Sequence, residues 1–163
     1  MSNAVKHSTS VDRTSDLEIV VRRTFNAPAN LVFEAWRQPE LFMRWWTPKS
    51  FGITFVSCEI DLRTGGGYHF VFSHPSMEQP MAFFGKYLDV QPNARIVWTN
   101  EEEVNGPVST VTFEEQDGKT LLVMTERYPT KESLDEALAT GSSGTAGAPD
   151  QFALLDDVLD TLT

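Results

Sequence analysis

Residues 28–46 read PANLVFEAWRQPELFMRWW, and this stretch decides the fold. Pro28 suits the first turn of a helix, and apolar residues then recur at helical spacing for about two turns. Pro39 ends this helix and begins a second short one, which closes with the paired tryptophans Trp45 and Trp46. A strand precedes the two helices and strands follow them. This order predicts a sheet that grips a helix around a cavity.

Most of the remaining chain has the patterns of β-strands. The residues of 56–62 alternate between apolar and polar, and the glycine triplet 65–67 makes a turn. In the next strand, Tyr68, Phe70 and Phe72 share one face, opposite His69. Turns of Gly, Pro and Asn separate the later strands, which implies an antiparallel meander of about six or seven strands. The further strand candidates are residues 17–25, 81–90, 94–102, 107–116 and 119–128.

Helices end the chain, and a polar leader begins it. Residues 131–139 form a short amphipathic helix, and 149–162 form a longer one that would span roughly 20 Å, the width of a small sheet. The segment 141–148, GSSGTAGA, is either a gate or a disordered loop. Residues 1–15 lack periodicity and are predicted to be a disordered leader, so that a single domain covers 16–163.

Composition excludes several classes of function. The chain has 163 residues and a net charge of −10, which opposes binding to nucleic acid and to anionic membrane surfaces. No apolar run approaches the roughly 20 residues that cross a bilayer, so we expect no membrane insertion. Cys58 is the only cysteine, which precludes an intramolecular disulfide and favours a reducing compartment. The first residues lack the apolar core of a signal peptide, and we therefore expect a cytoplasmic protein.

The motifs of common catalytic and cofactor sites are missing from the sequence. His7, His69 and His74 share no ligand spacing with Cys58 or the carboxylates, so no metal site is expected. There is no Gly-x-Ser-x-Gly motif, and the glycine turn leads into a strand rather than a helix, which argues against a phosphate cradle. We expect no cofactor and assign no catalytic residue. The polar residues left for acid–base chemistry are Glu59, His69, Glu126 and Arg127.

The chain resembles the activator-of-heat-shock-ATPase-like (AHSA-type) branch of the START/birch-pollen-allergen superfamily, also called SRPBCC. The resemblance covers roughly residues 17–162, and its most specific part is the combination of Trp-Trp-Thr-Pro at 45–48 with Asp-Leu-Arg-Thr-Gly-Gly at 61–66. Further matching segments are 25–28, 31–36, 39–41, 58–60, Gly85, Tyr87, 90–92, 95–98, 111–113, Phe152 and 155–156. It implies an α+β helix-grip (START-like) fold, in which a curved antiparallel sheet wraps around a long C-terminal helix.

Function is expected in the cavity of this fold. The leading hypothesis is binding of a small, mostly apolar ligand between the sheet and the C-terminal helix; the alternatives are a chaperone-regulator-like protein-interaction domain and a cyclase- or hydrolase-like enzyme that uses a cavity carboxylate. Adjacent tryptophans on a helix point about 100° apart, so one should anchor the short helix and the other, Trp46, should face the cavity or its rim. The oligomeric state stays open. The predicted ligand-binding residues are Trp46, Tyr68, Phe70, Phe72, Trp98, Phe113, Phe152 and Leu155.

Overall fold

The computed structural model describes residues 9–47, 52–102, 106–140 and 147–162. In these residues strands and helices follow the order predicted from the sequence, with one additional strand at the start. The strands are β1 (Ser10–Arg13), β2 (Glu18–Phe25), β3 (Thr54–Ile60), β4 (Gly67–Ser73), β5 (Met81–Gln91), β6 (Arg95–Thr99), β7 (Val108–Gln116) and β8 (Lys119–Arg127). The helices are α1 (Ala29–Arg37), α2 (Pro39–Phe42), α3 (Lys131–Thr140) and α4 (Ala148–Asp160).

The strands form one curved antiparallel sheet in the order β1-β2-β8-β7-β6-β5-β4-β3. Strands β3 to β8 are a meander, and β2 then pairs with β8 along its whole length, from Glu18 opposite Arg127 to Phe25 opposite Thr120. One face of the sheet carries the core, and we call it the inner face. The predicted α+β class and antiparallel sheet are confirmed.

Strand β1 corrects the prediction of a disordered leader over Ser10–Arg13. These four residues pair with β2, with Val11 opposite Val21. All four are exposed, so the strand has no apolar alternation to show in the sequence. It forms because the edge of β2 offers unpaired backbone groups, which bind a neighbouring strand whatever its side chains. The first eight residues lie outside the described part of the chain.

Helices α1 and α2 cover one end of the inner face. The Ala29 N–H at the start of α1 donates to Glu115 Oε1 on β7 at 2.7 Å, which satisfies a helix-terminal donor that Pro28 cannot cap. Helix α2 ends at Phe42, four residues earlier than predicted, and the chain continues in turns through Trp46. The indole N–H of Trp45 donates to the Ala35 carbonyl at 3.0 Å, and this tertiary bond fixes the turn against α1.

Helix α4 packs against β2 and α1 and buries Phe152 and Leu155 completely. Helix α3 forms a smaller cluster in which Leu134 and Ala137 meet Ile19 and Tyr128. Of the segment 141–148, residues 141–146 lie outside the described residues, and the prediction of a gate or disordered loop falls on them.

Glycines shape two places beside the inner face. Gly65 has φ of 86°, as predicted for the turn before β4, and its N–H donates to the Tyr87 carbonyl at 3.0 Å. Gly85 on β5 lies opposite Tyr68, and a Cβ at this position would be 2.1 Å from the carbonyl oxygen of Thr99. A side chain therefore cannot be placed at Gly85 without moving β6.

Candidate functional site

The inner face of the sheet carries a continuous wall of aromatic rings. Tyr68, Phe70 and Phe72 are buried on β4, with ring centroids 4.8 Å apart for the first pair and 6.3 Å for the second. His69 between them is exposed on the opposite face. The strand period of two therefore places the three predicted residues on the same side, as the sequence indicated.

The end of α2 and the turn after it add Phe42, Trp45 and Trp46 to this wall. Trp45 is fully buried, whereas Trp46 is partly exposed and stacks on Phe42 with ring centroids 4.8 Å apart. Phe42 in turn stacks on Phe70 at 5.0 Å. Trp45 is thus the anchoring tryptophan, and Trp46 lies at the rim of the wall.

Trp36 on α1 joins the parts of the wall, although it is not among the residues predicted for the site. Its ring lies 6.0 Å from that of Trp46, 5.6 Å from that of Trp98 and 6.3 Å from that of Phe113. These three predicted residues come from different elements and converge on Trp36. In the sequence, Trp36 belongs to a stripe of apolar residues at helical spacing. Such a stripe is equally typical of residues in the core, so it does not indicate a site.

Phe152 and Leu155 on α4 close the other side of the wall. The Phe152 ring lies 6.2 Å from that of Trp45 and 5.6 Å from that of Phe25, so it reaches the aromatic wall through Trp45. The side chain of Gln151, also buried, donates from Nε2 to the Trp46 carbonyl at 2.7 Å. The C-terminal helix therefore holds Trp46 by a hydrogen bond to the backbone carbonyl of that tryptophan.

The wall is incompletely covered above β3 and β5. Phe55 and Cys58 on β3 and Phe83 on β5 are only partly buried, while Phe70 and Phe72 between them are each 5% exposed. Phe83 pairs with Phe70 across the strands, so both lie on the inner face. We call the partly exposed set Trp46, Phe55, Cys58 and Phe83 the apolar rim.

Polar groups occupy one end of the inner face. Of the four residues considered for acid–base chemistry, Glu59, His69 and Arg127 are exposed and Glu126 is buried. Glu126 accepts a hydrogen bond from the Tyr128 hydroxyl at 3.2 Å and lies opposite the buried Ser109 in the register of β7 and β8. The sheet therefore presents a carboxylate and a hydroxyl beside the aromatic wall.

Burial sets the protonation of the groups within the wall. It raises the pKa of the Cys58 thiol to about 11, with a further contribution from the charge of Glu40. Burial also raises the pKa of the Tyr68 and Tyr87 hydroxyls well above the ordinary tyrosine value. The Tyr68 hydroxyl donates to the Thr99 carbonyl at 2.6 Å. These groups are neutral hydrogen-bonding or apolar surfaces at physiological pH.

Within the described ranges, no three His, Cys, Asp or Glu side chains are grouped so that they could hold a metal ion. Nor do these residues include a helix both long and apolar enough to cross a membrane.

Comparison with known proteins gives a family and a fold. The family model described as Activator of Hsp90 ATPase homolog 1-like protein matches residues 26–160. A crystal structure of a protein from Rhodobacter sphaeroides is similar with a TM-score of 0.82 and 22% identity, over 95% of this chain and 99% of that one. A protein from Mycobacterium smegmatis gives a TM-score of 0.79 and 23% identity, over 96% and 99% of the two chains.

A third similar structure is described as an AHSA1-like protein, from Aeromonas hydrophila. Its TM-score is 0.67 at 18% identity, over 86% of this chain and 93% of that one. At these identities the structural likenesses establish the fold alone. Among curated proteins, no significant match is found.

Proposed function

The chain belongs to the Activator of Hsp90 ATPase homolog 1-like family, and from that premise we propose that it binds a small, mostly apolar molecule between the inner face of its sheet and the C-terminal helix. Membership of this family supports a START-like ligand-binding or regulator domain. Of these two functions, ligand binding accounts better for the apolar rim. We propose that binding takes place in the cytoplasm, since the lone Cys58 suits a reducing compartment.

The observation that carries the proposal is the contrast between the buried wall and its partly exposed rim. Phe70 and Phe83 face each other across two strands on the same face, yet only Phe70 is buried. A concave apolar surface that remains partly open at one side is typical of small-molecule sites. Covering the rim with a ligand would bury apolar area, at roughly 25 cal/mol per Å².

The ligand would lie along residues predicted from the sequence. We propose that Trp46 covers it at the rim, that the rings of β4, β6 and β7 form its floor, and that Phe152 and Leu155 border it on the helix side. Glu126 and Ser109 would orient a polar group, since small-molecule sites typically combine an apolar lining with a few polar groups. Tyr68, Phe70, Phe72, Trp98 and Phe113 make up that floor.

Adjacent phenylalanines on opposite faces of β5 provide the test. Phe83 belongs to the apolar rim, whereas Phe84 is 39% exposed on the outer face and stacks on His69. The probe is N-phenyl-1-naphthylamine, a neutral apolar compound whose fluorescence rises on burial. We expect saturable binding to the wild type, about tenfold weaker binding by Phe83→Ser and unchanged binding by Phe84→Ser.

Two results would contradict the proposal. One is the absence of saturable binding and of any rise in the melting temperature with added probe, because a ligand of the native state must stabilise it. The other is an equal loss of affinity in Phe83→Ser and Phe84→Ser, which would place the probe outside the inner face. Melting temperatures of both variants control for general loss of structure.

The outer face of β5 favours a second function, that of a protein-interaction domain. Phe84 and Leu88 lie four residues apart on β5 and are 39% and 51% exposed. Several exposed apolar side chains on one strand are a feature of many interaction surfaces. The net charge of −10 would favour a basic or neutral partner over an acidic one. Under this alternative Phe84→Ser, the control above, would be the variant that loses function.

A further inference from the structure

Trp36 carries a hydrogen-bond donor that the described residues leave unsatisfied. The side chain is 5% exposed, and its Nε1 is buried with no acceptor within hydrogen-bonding distance among those residues. An indole N–H can only donate, so no rearrangement of its own protons can satisfy it. Buried polar groups are nearly always paired, and one that is not requires an explanation.

The neighbouring tryptophan shows that the fold can satisfy such a group. Trp45 is also buried, and its Nε1 donates to the Ala35 carbonyl at 3.0 Å. The Trp36 and Trp45 rings are only 4.9 Å apart. The two neighbouring indoles thus differ in whether the described residues supply an acceptor for the N–H group.

We propose that Trp36 is the polar anchor of the ligand site, where its indole N–H donates to an oxygen of the bound molecule. This inference rests on the proposed function, because it assumes a ligand against the aromatic wall. Trp36 is well placed for the role, since the rings of Trp46, Trp98 and Phe113 surround it. The anchor would hold the polar end of a molecule whose apolar body lies on those rings.

The charges around the wall select a neutral acceptor. Arg23 is the buried cation of the described inner face, and it is already paired with Asp156. Glu126 is a buried acidic residue on the same face. The described residues of this face offer no second buried cation to a carboxylate ligand, and burying a charge without a counterion is strongly unfavourable. The site therefore fits a flat apolar molecule with a ketone, ester, amide or quinone oxygen.

Three naphthalene probes separate these possibilities. The first is 2-acetylnaphthalene, which has a carbonyl acceptor; the second is 2-isopropenylnaphthalene, in which a CH2 group replaces that oxygen; the third is 2-naphthoate, which is anionic. We expect the ketone to bind the wild type about tenfold more tightly than the isopropenyl compound. The naphthoate should bind more weakly than the ketone. In the Trp36→Phe variant the ketone should lose its advantage over the isopropenyl compound.

The indole resonances give a direct readout in the wild-type protein. With the ketone bound, the Trp36 Nε1–H signal in a ¹⁵N–¹H spectrum should move downfield, while that of Trp45, already hydrogen-bonded, should move much less. The isopropenyl compound should not produce the downfield shift. This comparison requires no variant to fold.

The outcomes distinguish this inference from the function on which it rests. Equal affinity for ketone and isopropenyl compound, with no downfield shift at Trp36, would overturn the anchor and leave apolar binding intact. Tighter binding of naphthoate than of ketone would overturn the neutral class of ligand. If none of the three probes binds, both the anchor and the proposed function are wrong.

Discussion

Cys58 shows how a single residue reports on the burial of the inner face. Its thiol pKa is raised to about 11 because burial disfavours the thiolate, and the negative charge of Glu40 adds to the effect. Only the thiolate is nucleophilic, so a raised pKa lowers the reactivity of the group. This partly exposed cysteine in the apolar rim should therefore be unreactive for an electrostatic reason as well as a steric one.

The first prediction concerns alkylation of Cys58. At pH 8.5 we expect iodoacetamide to modify the native protein at least roughly tenfold more slowly than the urea-unfolded chain, because the unfolded thiol has an ordinary pKa. Mass spectrometry over time gives both rates. A native rate equal to the unfolded rate would mean that the thiol is neither buried nor shifted. A saturating apolar probe should slow the reaction further, since Cys58 belongs to the rim.

The same shifted groups predict how stability changes with alkaline pH. The stabilising contribution of Cys58 is complete below its unfolded pKa and is lost as pH rises towards about 11, since only the unfolded chain releases the proton in that window. The raised pKa values of Tyr68 and Tyr87 extend the decline above pH 10. The urea concentration at the unfolding midpoint should decrease as the pH rises from 9 to 11. Below pH 10 this decrease should be smaller in Cys58→Ala than in the wild type. An unchanged midpoint would contradict the assigned burial.

Among the elements, α4 depends on an ion pair for its position on the sheet. Arg23 points from β2 into the inner face and is 6% exposed, and it pairs with Asp156 on α4. The guanidinium also lies 5.2 Å from the Phe25 ring and donates to Thr9 Oγ1 at 3.1 Å. Burial lowers the pKa of Arg23, as expected for a cation withdrawn from water.

Removing one partner of this pair should destabilise the fold. We expect Asp156→Asn to lower the free energy of unfolding by roughly 2 kcal/mol, because the buried guanidinium loses its counterion; the partial exposure of Asp156 keeps the loss below that of a fully buried pair. The neighbouring Asp157 is exposed, and Asp157→Asn is the matched control, with a change within about 0.5 kcal/mol. Urea unfolding followed by circular dichroism measures both. Equal losses would show that the pair does not hold α4.

The elements also show how far sequence patterns reach. Alternation and Gly/Pro turns predicted β2 to β8 because each of these strands has an apolar face to bury. Strand β1 was missed because its four residues are exposed and it pairs through its backbone. The predicted α2 is too long because the spacing of Trp45 fits a helix. The hydrogen bond from the Trp45 indole to the Ala35 carbonyl depends on the tertiary fold, and the sequence pattern does not reveal it.

The candidate site, too, could be predicted from the sequence only in part. Strand parity placed Tyr68, Phe70 and Phe72 on one face and His69 on the other, and the structure agrees. Parity cannot reveal whether a buried donor finds an acceptor, so Trp36 remained one member of a helical stripe. An unsatisfied group is a property of three-dimensional contacts, and for that reason no spacing in the sequence indicates it.

For the molecule as a whole, the dominant electrostatic fact is the excess of acidic residues, 23 against 13 basic ones. Like charges repel within the compact state, and salt screens this repulsion, since the Debye length falls from about 30 Å at 0.01 M to about 8 Å at 0.15 M. Salt also weakens surface ion pairs such as Arg63–Asp61, but an exposed pair contributes only about 0–1 kcal/mol. We therefore expect that screening of the repulsion between acidic residues affects stability more than the weakening of surface ion pairs does.

The melting temperature should then rise by a few degrees between 10 mM and 300 mM NaCl at pH 7.5, as measured by calorimetry. The matched condition is pH 5, close to the sequence pI of about 4.6, where the net charge is small and the rise should shrink. A melting temperature that falls with salt at pH 7.5 would mean that ion pairs dominate, and Asp156→Asn would then flatten the curve. The predicted sign also bears on recognition, since the field that destabilises the chain repels anions from the rim and leaves neutral molecules unaffected.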